Sequence, residues 1–86
     1  LEDSLQFLGE DELRILFQPY GEIYSVEMPK DQKSGKSVGY AFIEFCNPEN
    51  VKEAIARMHG LQIKGKILRV AEANDDMILV GSKYGN

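Results

Sequence analysis

Apolar positions along the chain recur at two different spacings. Over residues 10–18, Leu13, Leu16 and Phe17 fall at helical spacing, with Glu10, Asp11, Glu12, Arg14 and Gln18 outside the stripe. The early carboxylates complement the positive end of the helix dipole. Pro19-Tyr20-Gly21 stops the helix. Leu1, Leu5 and Leu8 could add an earlier turn capped by Asp3 or Ser4, but Gly9 weakens that join. Residues 1–9 are therefore left as either a frayed segment or an extra helical turn. A second helical stripe, Val51, Ala54, Ile55 and Met58, follows Asn47 as N-cap and Pro48 at the first helical position, and Gly60 ends it.

Elsewhere the period is two. Ile23–Met28 alternates Val26 and Met28 against Ser25 and Glu27. Lys30-Asp31-Gln32-Lys33-Ser34-Gly35-Lys36 is polar and carries a glycine, so it reads as a hairpin loop. Val38–Phe45 alternates Tyr40, Phe42 and Glu44 against Ala41, Ile43 and Phe45, and its largely apolar faces mark a central strand. Leu61 and Ile63 lie in a short connection to Gly65. Ile67–Ala71 is a strand with Leu68 and Val70 inward and Arg69 outward. Asn74-Asp75-Asp76 is a turn, Met77–Val80 another strand, and residues 81–86 a polar tail. The order is helix-strand-strand-helix-strand-strand. It predicts one domain over residues 1–86, a two-layer α/β sandwich of two helices and four strands with both helices on one face.

Charge and composition narrow the functions open to such a domain. Fourteen acids face ten bases, for a net charge of −4. This disfavours avid, non-specific binding to polyanions. The bases are nevertheless clustered, with Lys30, Lys33 and Lys36 in one loop. No apolar run approaches the roughly 18 residues a membrane helix needs. There is no signal-peptide layout and no initiator Met, which reads as an excised domain. Cys46 is the single cysteine, so no internal disulfide forms. That fits a reducing, intracellular setting without separating nucleus from cytoplasm.

Catalysis fails on residue supply. One histidine, His59, and one cysteine cannot build a zinc site. His59 sits at a helix end, where a cation suits the dipole. Cys46 reads as a half-buried thiol at a strand end. Gly35-Lys36-Ser37 has the end of a phosphate-binding loop but lacks its earlier glycine, and it opens a strand rather than a helix. No enzyme activity, metal or cofactor is expected.

Val38-Gly39-Tyr40-Ala41-Phe42-Ile43-Glu44-Phe45 resembles the octamer of the RNA-recognition motif family, matching seven of its eight positions. Val38 departs, standing where Arg or Lys is usual. The segment Leu13–Ile23 resembles the family's first helix and the turn into its second strand, Asn47–Gly60 its second helix, and Gly65–Val70 its last strand. The resemblance covers roughly residues 10–72 and implies a ferredoxin-like α+β two-layer sandwich with a four-stranded antiparallel sheet. One part is out of place. The family opens with a strand carrying a second short motif, and nothing before residue 10 alternates like it. Met77-Ile78-Leu79-Val80-Gly81-Ser82 does. In the family that strand lies beside the last one, so a tight turn at residues 73–76 could join them. The expected order is thus a circular permutation of the family's, natural or engineered. A truncated second copy or a domain swap would also account for the tail. The first leaves a sheet without its central strand; the short turn argues against the second.

The resemblance implies binding of single-stranded RNA by a monomer. Tyr40 and Phe42 would each stack on a base, and Leu79 would add apolar cover where the family usually has a third aromatic. Arg69, Lys36, Lys33 and Lys30 would meet phosphates or base edges. Glu27 and Glu44 would repel phosphate but accept from base amino groups. Arg69 could equally pair with Glu27 or Glu44. The missing aromatic and the acidic balance point to modest affinity, and Tyr84 reads as a frayed end. Two alternatives stay open: a protein-interaction module using the acidic first helix or the open face, and an engineered permuted chain whose function is incidental.

Overall fold

The computed structural model describes residues 9–30, 32–35, 39–63 and 65–84. Along them run α1 (Glu10–Phe17), a 3-10 turn (Gln18–Tyr20), β1 (Ile23–Glu27), β2 (Tyr40–Phe45), α2 (Glu49–Met58), β3 (Gln62–Ile63), β4 (Lys66–Asn74) and β5 (Met77–Tyr84). The strands form one antiparallel sheet in the order β1-β2-β5-β4-β3. The sheet has five strands rather than the expected four, because Gln62 and Ile63 pair with Ile67 and Lys66. Two residues are too few to show alternation, so no periodicity announces β3. The extra turn read at Leu1, Leu5 and Leu8, with Asp3 or Ser4 as its cap, lies outside the described residues. So do Lys36 and Val38.

Local chemistry sets the helix ends. In α1 the Glu12 carboxylate accepts from the Gly9 N–H at 2.8 Å, the backward-reaching half of a capping box. Arg14 pairs with Glu10 one turn earlier at 3.2 Å; both are exposed, so the pair adds at most about 0.5 kcal/mol. Gln18, expected inside the helix, opens the 3-10 turn instead, because Pro19 has no N–H to continue the ladder. Before α2, Asn47 Oδ1 accepts from the Glu49 N–H at 2.9 Å, and Pro48 already has helical φ −58° and ψ −24°. Asn47 thus plays the capping role its position predicts, while regular helical bonding starts one residue later.

The core is a single cluster. Ala41, Ile43 and Phe45 of β2, Leu68 and Val70 of β4, and Ile78 and Val80 of β5 pack against Leu13 and Phe17 of α1 and Val51, Ala54 and Met58 of α2. Both helices therefore cover one face of the sheet and leave the other open. β5 lies between β2 and β4, and its Ile78 and Val80 are fully buried.

The β4–β5 hairpin is longer than its apolar pattern. Asp76 N–H donates to Asn74 Oδ1 at 3.2 Å and closes the turn, and the ladder then runs from Asn74↔Met77 to Lys66↔Tyr84. The expected polar tail from Gly81 is thus strand through Tyr84, and Tyr84 is not a frayed end. Backbone pairing supplies the reason: once the turn is closed, each added residue satisfies N–H and C=O groups whatever its side chain.

Candidate nucleic-acid interface

Side chains alternate across a strand, so the buried positions define what faces outward. Strand register then sorts the outward residues into rows. Tyr40, Gly81 and Arg69 form one row across β2, β5 and β4. Glu27, Phe42, Leu79 and Ala71 form the next, across β1, β2, β5 and β4. Ser25, Glu44 and Met77 form a third. The fold therefore brings Tyr40, Phe42, Leu79 and Arg69 together from three strands, with Glu27 and Glu44 towards the β1 side.

Gly81 makes the first row low in the middle. A Cβ there would meet nothing nearer than the Gly39 carbonyl oxygen at 3.8 Å, so packing does not demand glycine. Tyr40 and Arg69 stand on either side, two strand spacings or about 10 Å apart. All three residues line a cavity of about 510 Å³, together with Phe42, His59, Val70, Ala71 and Leu79. The volume lies in the range of small-ligand sites. Tyr40 and Phe42 meet edge to face, with ring centroids 5.8 Å apart and planes at 85°. They do not offer two parallel platforms.

The charges divide across the sheet. Arg69 is exposed and makes no ion pair among the described residues. The surface pairing with Glu27 or Glu44 does not form, because β5 separates Arg69 from Glu44, and both β5 and β2 separate it from Glu27. Glu44 instead accepts from the Ser25 hydroxyl at 3.4 Å. Lys30 and Lys33 are exposed in the β1–β2 connection and do not line the cavity. The acidic turn of α1 is solvent-exposed.

Two readings of reactive side chains change. Cys46 is exposed rather than half-buried. Its thiol is pushed above the ordinary value of 9.0, first by partial desolvation and then by the negative charges of Glu22 and Glu44. That keeps it protonated and unreactive near neutral pH. His59, read only as a helix-end residue, also engages the sheet: its Nδ1 accepts a hydrogen bond from the Val70 N–H, 3.0 Å away. Among the described residues no cluster of three or more His, Cys, Asp or Glu could hold a metal, and no helix is long and apolar enough to cross a membrane.

Three cavity residues escape the pattern reading. Ala71 continues the outward alternation of Arg69 at the end of the strand read over Ile67–Ala71, and Gly81 continues that of Met77 and Leu79, a signal hidden by ending that strand at Val80. His59 carries no such signal, because its place depends on where the chain leaves α2 relative to the edge of β4.

The model of the family described as "RNA recognition motif" matches residues 6–69. The human protein named "Probable RNA-binding protein 23" is 36% identical over 73 residues, 84% of this chain. From Arabidopsis thaliana, heterogeneous nuclear ribonucleoprotein Q is 42% identical over 62 residues (72% of this chain), and polyadenylate-binding protein 6 is 38% identical over 73 residues (85%). The chain spans only 17%, 12% and 13% of these three relatives' lengths. The crystal structure of RNA binding protein PG1 shares the fold, with a TM-score of 0.64 over 92% of this chain and 83% of that one at 22% identity. The chain belongs to the RNA recognition motif family, a family of RNA binders and not of enzymes.

Proposed function

We propose that this domain binds single-stranded RNA on the open face of its sheet. The observation that carries the reading is the cavity itself: the two octamer aromatics, Leu79 and Arg69 line one depression on the face that the helices leave free. Unpaired bases expose faces to stack and edges to hydrogen-bond, and an aromatic sheet surface serves both. The perpendicular rings favour a base lying flat on one of them while the other closes its edge. Leu79 covers a base without π-stacking on it. Arg69 meets phosphate or a base acceptor. Lys30, Lys33 and Lys36 in the β1–β2 connection add attraction for the backbone, and Glu27 and Glu44 accept from base amino groups. With a net charge of −4 the affinity is modest and falls with salt.

The same reading includes a permuted chain order. β5 lies between the octamer strand β2 and the last family strand β4, where the family's first strand belongs by the resemblance of Met77–Ser82. Its central position and its buried Ile78 and Val80 support the assignment.

The test is an amide-resolved NMR titration with a pool of short single-stranded RNAs. Shifts clustering on Tyr40, Phe42, Arg69 and Leu79 are expected. No shifts at submillimolar RNA, or shifts confined to the helical layer, would overturn the reading.

A further inference from the structure

We propose that His59 reads a base edge at this face, donating from Nε2–H to the exocyclic carbonyl of a keto base, uracil or guanine, held beside Arg69. The proposal rests on the RNA-binding reading above and names which bases the cavity accepts.

The geometry that brings a residue from the end of a helix to the open face is a continuous edge ladder. The chain leaving α2 runs along the outer edge of β4. Gly60 N–H donates to the Leu68 carbonyl at 2.8 Å, and Leu68 N–H donates to the Leu61 carbonyl at 2.8 Å. The next edge-facing amide, Val70 N–H, donates to His59 Nδ1 at 3.0 Å. The imidazole thus takes the place that a neighbouring strand's carbonyl would occupy. This anchors the ring at the sheet edge, where it lines the same cavity as Arg69.

The hydrogen bond also decides the tautomer. A ring nitrogen that accepts cannot carry a proton, so the neutral ring is protonated at Nε2. Among the described residues Nε2–H has no partner, and it is the ring's remaining polar group. The hydrogen-bonding side chains on the β4 side of the cavity are therefore donors: the Nε2–H of His59 and the Arg69 guanidinium. The acceptors, Glu27 and Glu44, lie on the β1 side of the face. Uracil and guanine present a carbonyl where cytosine and adenine present an amino group. Two donors satisfy the carbonyl and leave an amino group unpaired, so the β4 side selects keto bases.

The experiment compares fluorescently labelled short oligouridine and oligocytidine, by anisotropy, on the wild type and on His59→Asn. The asparagine side-chain oxygen falls near the Nδ1 position and can still accept from Val70 N–H, while its NH2 falls at the ring's Cδ2 position, one bond short of where Nε2–H donates. A purely structural role predicts no change in binding. The proposal predicts about threefold to tenfold weaker oligouridine binding, the worth of one hydrogen bond. It also predicts a smaller change for oligocytidine, with the Val70 amide shift and the melting temperature preserved. Unchanged oligouridine binding, or an equal loss on both oligonucleotides, would overturn it. A wild type that binds neither would overturn the RNA reading and this proposal together. Should His59→Asn fail to fold, the wild-type imidazole itself decides through long-range proton–nitrogen spectra. Nδ1 is expected to be unprotonated, and the Nε2–H resonance to move on adding oligouridine. A proton on Nδ1, or an Nε2–H that does not move, would overturn the proposal.

Discussion

Tyr40 and Phe42 stand two residues apart on β2 and meet edge to face, their ring planes at 85°. Such a contact contributes about 0.5–1.5 kcal/mol beyond simple burial. Each ring thus supports the other, and in the proposed complex each would also be a platform for a base. Tyr40→Ala and Phe42→Ala should each weaken binding of single-stranded RNA by about 1–3 kcal/mol while the amide spectrum stays dispersed. The double variant should lose measurably more or less than the sum, because neighbours in contact couple. Calorimetric titration of the four proteins measures this, and unchanged affinity in both single variants would remove stacking from the account.

Gly81 keeps the middle of the open sheet face low. Its replacement by valine puts a β-branched side chain at a strand position where the nearest atom to the new Cβ is 3.8 Å away. The fold should survive, with a melting temperature equal to or above that of the parent. The RNA should lose its seat between Tyr40 and Arg69, costing about as much as one stacked base, 1–3 kcal/mol. RNA affinity unaffected by Gly81→Val would mean that the cavity is not the site.

β5 carries the centre of the sheet. Removing residues 77–86 would take away Ile78 and Val80, both fully buried, and the ladder partners of β2 and β4. The shortened chain should lose cooperative thermal unfolding. The milder Ile78→Ala should destabilise the full chain by about 2–5 kcal/mol, measured by denaturant titration. A native melt after the deletion would show that β5 is dispensable and would end the permuted-order assignment.

The turn between the 3-10 segment and β1 passes against α2. A methyl added at Gly21 would lie 2.7 Å from Asn50 Cβ and closer still to the amide group of that side chain. Rotating the Asn50 side chain cannot relieve the Cβ contact, so the backbone must shift. Gly21→Ala should cost about 1–3 kcal/mol in denaturant unfolding, the usual penalty of overpacking. Asn50→Gly combined with it should recover part of that loss.

Cys46 offers a check of local electrostatics. Desolvation, with Glu22 and Glu44 adding to it, holds the thiol above the ordinary 9.0, so the thiolate fraction at about pH 8 is low. Alkylation by iodoacetamide should be slow at that pH despite exposure, and should accelerate as pH rises. Glu22→Gln with Glu44→Gln should lower the thiol's pKa and speed the reaction at fixed pH. A rate equal to that of a free thiol, unchanged in the double variant, would contradict this.

Both helices, the alternation of the octamer strand and the inward set of Ala41, Ile43, Phe45, Leu68, Val70, Ile78 and Val80 are legible in the sequence, because periodicity and burial share one cause: an amphipathic element turns its apolar side to the core. For the same reason the outward set of Tyr40, Phe42, Leu79 and Arg69 could be read before any coordinates. Tertiary structure decided what periodicity does not encode. β3 and the last four residues of β5 are strands because a neighbour's backbone is there to pair with, not because their side chains alternate. Arg69 stands apart from Glu27 and Glu44 because strand order, not sequence distance, sets which charges meet. The perpendicular packing of Tyr40 on Phe42, the low floor at Gly81 and the engagement of His59 by the Val70 amide all depend on register and on a loop's path along an edge. Those are contacts between segments distant in the chain, and no local pattern of residues contains them.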